Sequence, residues 1–158
     1  MPSSRTVLAA TAALATALCS PLLLAPTATA APAKYADDFN GDGYRDYAYG
    51  GSVTDAGSDG SGTVGIIYGT ATGPNGRKQN ITQNSAGIPG ANEWGDGFGN
   101  AMVGADFNRD GYADLAVGVY NEDVGTGKDR GAVLIIWGSA SGLSGATSIP
   151  NKAPRSYA

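Results

Sequence analysis

Asp38-Phe39-Asn40-Gly41-Asp42-Gly43-Tyr44-Arg45-Asp46 returns 68 residues later as Asp106-Phe107-Asn108-Arg109-Asp110-Gly111-Tyr112-Ala113-Asp114. The match resumes downstream at an offset of 69. There Gly62-Thr63-Val64-Gly65-Ile66-Ile67-Tyr68-Gly69 aligns with Gly131-Ala132-Val133-Leu134-Ile135-Ile136-Trp137-Gly138, so one residue is inserted in the loop between. Thr70-Ala71-Thr72-Gly73 and Ser139-Ala140-Ser141-Gly142 extend it. Self-similarity at a fixed period marks a repeat architecture, in which each unit buries its apolar face against its neighbour.

Within each unit the pattern reads as short strands joined by turns. Ala101 to Ala105 leads into the acidic stretch, and Asp114 to Tyr120 leads out with Leu115, Val117 and Val119 alternating. Val64 to Tyr68 and Val133 to Trp137 are continuous apolar runs, expected of strands covered on both faces. Ala146 to Ile149 is expected as a fourth, outer strand, and the Asp/Gly/Ser-rich stretch 55–62 as a loop. Four short strands per glycine-punctuated repeat describe a blade of a β-propeller. The expected fold class is therefore all-β, with two four-stranded blades at 31–97 and 98–158, the second cut short.

Composition agrees. The 158 residues include 25 glycines, which disfavour a helical bundle because each interior helical glycine costs about 1 kcal/mol. No G-X-Y period suggests collagen. The absence of histidine excludes a Ser-His-Asp triad, a Cys-His pair and histidine-containing zinc sites. A net charge of −4 argues against nucleic acid or an anionic membrane surface as partner.

Residues 1–30 read as a secretory signal. Arg5 precedes an Ala/Leu-rich run from Val7 to Leu18, and Ala28-Thr29-Ala30 offers an A-x-A site, with cleavage after Ala30 and Ala33 as second choice. Pro21 and Pro26 interrupt the run and no stop-transfer cluster follows, so no membrane span is expected after cleavage. Cys19 has Leu18 before it, not the small residue a lipoprotein site wants, and leaves with the signal.

The pattern D-x-N-x-D-G-x-x-D places oxygen side chains at positions one, three, five and nine, with a backbone carbonyl available at seven. Ca²⁺ takes six to eight such ligands and accepts irregular geometry, whereas Mg²⁺ keeps its waters. The glycine at position six permits the sharp turn. An EF-hand or dockerin-like loop would carry an acidic ligand at position twelve on an exiting helix. Here that position holds Tyr49 and Val117, between strand-like flanks. A calcium-bound β-hairpin fits better.

These residues resemble the FG-GAP repeat of integrin α-subunit propellers and related secreted bacterial proteins, over essentially the whole chain from Tyr35. Phe98-Gly99 stands at the FG element, and Gly118-Val119-Tyr120 where the family has Gly-Ala-Pro. In the first unit the FG position falls at Ala30-Ala31, and Gly50-Gly51-Ser52 replaces Gly-Ala-Pro. The resemblance implies that Asp38, Asn40, Asp42 and Asp46 supply side-chain oxygens to calcium and Tyr44 its carbonyl. Asp106, Asn108, Asp110, Asp114 and the Tyr112 carbonyl do the same in the second unit. It also implies a seven-bladed ring, of which two blades are present. A fragment of a longer propeller is the favoured reading, beside two-blade pieces assembling with one another and a degenerate remnant.

Catalytic signatures are few. No G-x-S-x-G or Ser-x-x-Lys occurs, and Gly125-Thr126-Gly127-Lys128 lacks the remainder of a phosphate loop. Glu93 and Asp96 have the look of a glycosidase acid pair but read better as solvated turn residues, and Trp94 as packing between blades. Asn80-Ile81-Thr82 is a sequon by pattern, and no Arg-Gly-Asp is present. Two functional classes follow. One is a secreted, calcium-stabilised module that binds an extracellular protein or glycan, completed by further blades in cis or by self-association. The other is an accessory or remnant of a propeller-containing extracellular hydrolase.

Overall fold

A computed structural model describes residues 30–51 and 60–150. Residues 1–29, which hold most of the expected signal, residues 52–59 and residues 151–158 lie outside the described residues. Seven strands form among the described residues: β1 Tyr47–Gly51, β2 Thr63–Ile67, β3 Lys78–Ile81, β4 Ala101–Ala105, β5 Asp114–Val119, β6 Ala132–Trp137 and β7 Ser144–Pro150. They build two antiparallel sheets in chain order, β1-β2-β3 and β4-β5-β6-β7. The duplicated registers match: Tyr47 faces Ile67 and Val64 faces Ile81 in the first, Leu115 faces Ile136 and Val133 faces Ile149 in the second.

The fourth strand expected at 146–149 is β7. The first sheet has three strands among the described residues, not the four expected. Residues 33–37, which correspond to β4, form a turn closed by the Asp38 N–H on the Tyr35 carbonyl (3.3 Å). The Ala33 N–H turns away to the Asp106 carboxylate (2.8 Å). A backbone donor spent on the other unit is lost to ladder pairing.

The blades share one hydrophobic cluster. Val64, Ile66, Tyr68 and Ile81 from the first meet Leu115, Val117, Leu134 and Ile136 from the second, with Phe39 and Phe98 among them. Each such side chain, once fully buried, contributes about 1.5–3 kcal/mol. Polar contacts cross the joint as well. The N–H groups of Ala113 and Ser139 donate to the carbonyls of Asp38 (3.0 Å) and Phe39 (3.2 Å), and Phe98 N–H to Ser61 (2.8 Å). The Arg77 guanidinium lies 4.1 Å from the Tyr68 ring centroid and donates to the Ser141 carbonyl (2.7 Å).

One burial expectation fails. β2 is buried nearly throughout, but in β6 Val133 is 42% exposed. The joint covers the face of β6 that carries Leu134 and Ile136; on the opposite face Ile135 is buried and Val133 is left exposed. No helix among the described residues is long and apolar enough to cross a membrane.

Candidate metal centre

Both acidic stretches are loops that lead directly into the second strand position of their units, β1 and β5. In the first, the Asp38 carboxylate accepts the N–H of Asp42 (3.1 Å) and of Gly43 (2.9 Å). Asn40 Oδ1 accepts the Asp42 N–H (3.1 Å), and its amide donates to Asp42 Oδ2 (2.8 Å). Asp42 Oδ1 accepts the Tyr44 N–H (2.9 Å). The second loop repeats every bond. Asp106 accepts from Asp110 (3.2 Å) and Gly111 (3.1 Å), Asn108 accepts from and donates to Asp110 (both 2.9 Å), and Asp110 accepts from Tyr112 (3.0 Å). These bonds wind each loop inward around its own side chains, as position-six glycines with φ of 87° and 95° allow.

Position nine differs from the rest. Asp46 is buried and accepts the Phe39 N–H and the Gly69 N–H, both at 2.8 Å. Asp114 is fully buried and does the same with Phe107 (2.9 Å) and Gly138 (2.8 Å). Each carboxylate thus ties its loop to the end of the strand β2 or β6. The close approach requires glycine there: a Cβ on Gly138 would lie 2.1 Å from the Ala113 carbonyl oxygen, and one on Gly69 2.2 Å from that of Arg45. The repeated Tyr68-Gly69 and Trp137-Gly138 carried this signal in the sequence, but its role emerges only from the contact.

Electrostatics follow burial. Desolvation raises the Asp46 pKa, the Gly69 and Phe39 amides oppose it, and the charges of Asp38 and Asp42 push it further up. Desolvation likewise raises Asp114 against the Gly138, Phe107 and Asn108 amides, with Asp110 adding to it. Asp106 is also desolvated, but the N–H groups of Ala33, Gly111, Arg109 and Asp110 outweigh that and hold it below the usual carboxylate range. Arg45, the cation within the first loop, is held by Asp37 (2.9 Å).

The donor set suits a hard divalent cation in chemistry: every side chain is an oxygen donor, and the carboxylates of the first loop repel one another across it. An ionised carboxylate has about four acceptor sites, so amide bonds leave lone pairs free. Among the described residues, no three acidic side chains gather tightly enough to hold a metal as they stand.

Other expected sites change character. Asp96 is buried and closes a turn on the Glu93 N–H (2.8 Å), so it is a turn lock and not the solvated residue expected. Trp94 is 86% exposed and does not pack between blades. Gly125–Lys128 forms a tight turn through reciprocal bonds between Val124 and Gly127 (2.9 and 3.0 Å), ahead of β6. Sequence reading missed the part-buried pair Gln83–Glu122, which joins the end of the first blade to the β5–β6 loop.

Two sheets of one repeated design, each entered through the same acidic loop, define partial blades of a propeller. Comparison with known proteins agrees. The model of the FG-GAP repeat matches residues 98–136. Integrin alpha-PS2 of Drosophila melanogaster is 38% identical over 87 residues, 54% of this chain and 6% of that protein. No solved structure gives a significant match. Residues 98–136 thus carry an FG-GAP repeat, and the chain is similar to an integrin α-subunit over about half its length. It spans only a small fraction of the integrin's length.

Proposed function

We propose that this protein is a secreted, non-catalytic β-propeller segment whose two acidic loops bind Ca²⁺ and whose blades serve as an extracellular binding module. The observation that carries the reading is the duplicated loop: five hydrogen bonds among positions one to seven recur, bond for bond, in the second unit. A solvated turn has no need of the same oxygen-inward wiring twice. Asp38, Asn40, Asp42 and the Tyr44 carbonyl would hold one ion, with Asp106, Asn108, Asp110 and the Tyr112 carbonyl holding the other. Asp46 and Asp114 would complete each set from below while fixing the loop to the sheet. The ion's role is to neutralise the carboxylates and stiffen the loop.

Isothermal titration of the chain with CaCl₂ tests this. Extracellular modules bind with a Kd on the order of 10⁻⁴–10⁻³ M. About two equivalents are expected, and the double substitution Asp42→Ala, Asp110→Ala should abolish both. Binding heat that survives the double substitution would overturn the assignment, as would no binding at millimolar calcium.

A further inference from the structure

The blades are copies of one unit, so several residues in the joint between them have counterparts on the chain's outer sides, although residues 33–37 turn back onto the second unit. Phe39 and Phe107 are such a pair, 1% and 46% exposed; Val64 and Val133 are 0% and 42%, and Ile81 and Ile149 are 3% and 56%. Residue type is unchanged within each pair. What differs is cover: the second blade covers the first member, and no described residue covers the second to that extent. Val133 and Ile149 also border a groove of about 550 Å³ that continues past Ala101, Val119, Tyr120 and Arg130.

The other half of the joint is repeated in position but not in residue type. Leu115 and Val117 of the second blade are buried, and their counterparts Tyr47 and Tyr49 are exposed on β1, stacked with ring centroids 6.0 Å apart. The chain therefore presents both halves of its own internal joint, one on each outer side.

The polar groups match in the same sense. Inside the chain, the Tyr68 hydroxyl accepts the Leu143 N–H (3.0 Å) and Gln79 donates to the Leu143 carbonyl (2.7 Å). Their counterparts on the outer face are Trp137 and Thr147, joined by the indole N–H on the Thr147 hydroxyl (3.2 Å). An indole N–H only donates, so this face has lost the acceptor that received Leu143. The counterpart of Leu143 on the far side of the first blade is Pro74, in Thr72-Gly73-Pro74 against Ser141-Gly142-Leu143. Proline has no N–H to be received. The acceptor is missing on one side where the donor is missing on the other, and the Thr147 hydroxyl stays available for the Pro74 carbonyl.

We propose that copies of this chain join head to tail, the second blade of one packing on the first blade of the next as the two blades pack within the chain. Such an interface is heterologous, and it closes into a ring where the rotation permits. Propellers close at about four to eight blades, which two to four copies of these two blades would supply. The inference rests on the repeat and not on the calcium reading, since none of the residues tested below is a proposed ligand.

Light scattering coupled to size exclusion tests it, on the full chain, Val133→Asp, Tyr49→Asp and an equimolar mixture of the two variants. The wild type should run as a discrete species of two to four copies. Each variant alone should be monomeric, with an unchanged far-ultraviolet spectrum because both positions are exposed. The mixture should form a one-to-one pair, because each variant retains the face the other has lost. A wild-type monomer at its highest soluble concentration would overturn the proposal. So would a Tyr49→Asp protein that still assembles, which would indicate a face-to-face contact, or a mixture that stays monomeric. Should either variant unfold, Ile149→Lys with Tyr47→Lys provides the same comparison.

Discussion

The carboxylate of Asp114 accepts the N–H of Gly138 at 2.8 Å across 24 residues of chain, joining the exit of the acidic loop to the end of β6. Asp46 makes the same bond to Gly69 in the first blade. Asp114 is wholly buried and also holds the Phe107 N–H, so Asp114→Ala would strand two donors. At about 1–3 kcal/mol for each buried unsatisfied group, the loss should be roughly 2–6 kcal/mol. Asp114→Asn keeps one acceptor oxygen and should lose less. Urea denaturation of the three proteins gives the order; an alanine variant as stable as the parent would show that the tie carries no weight.

Glu122 gives the chain a pH dependence of definite sign. Desolvation raises its pKa above 4.5, the Gln83 hydrogen bond opposes the rise, and Asp96, Glu93 and Asp123 add to it. The folded state then holds this proton more tightly than the unfolded one, so stability from this group is present at low pH and is lost as pH rises through the folded pKa. Glu122→Gln removes the ionisation and keeps an acceptor for Gln83. Its melting temperature relative to the parent should climb as pH rises from about 4 towards 7. A pH-independent difference would contradict the assignment.

Arg109 and Gly41 hold the same left-handed loop position, with φ of 62° and 69°. An L-residue there costs about 1–2 kcal/mol, against about 0.5–1 kcal/mol for the extra chain entropy of glycine. Arg109→Gly should therefore stabilise by about 0.5–1 kcal/mol. Gly41→Ala should do the reverse and by more, because its Cβ would lie 2.7 Å from the Tyr112 ring. Paired denaturation curves check both signs.

If the loops bind calcium as proposed, a tenfold excess over Kd adds RT ln 11, about 1.4 kcal/mol, per site. Chelation should lower the Tm of the wild type by several degrees and leave the Asp42→Ala, Asp110→Ala protein unmoved. Equal shifts in both would mean the chelator acts elsewhere.

If residues 1–30 act as the expected signal, the exported chain should begin at Ala31, or at Lys34 if the second site is used. Both starts bear on the Ala33 N–H that reaches Asp106, which the later cleavage would remove. N-terminal sequencing of exported protein decides; a product that keeps Met1 or Pro2 would refute the signal reading.

Strand positions were legible from sequence because they depend on local pattern: the alternation Leu115, Val117, Val119 marks β5, and Ala101 to Ala105 is β4. The loop wiring was also legible, since bonds from Asp38 to Asp42 and Gly43 span only four and five residues. Burial was not. Val64 and Val133 hold the same place in the repeat, yet one is sealed and the other open, because cover is supplied by a different sheet. For the same reason Asp96 and Trp94 exchanged their expected environments. Position nine of each acidic loop looked like one more ligand, and became a buried tie only when folding brought Gly69 and Gly138 within 2.8 Å. Spacing along the chain determines which groups can meet locally; which side chains lose their water depends on surfaces that meet only in three dimensions.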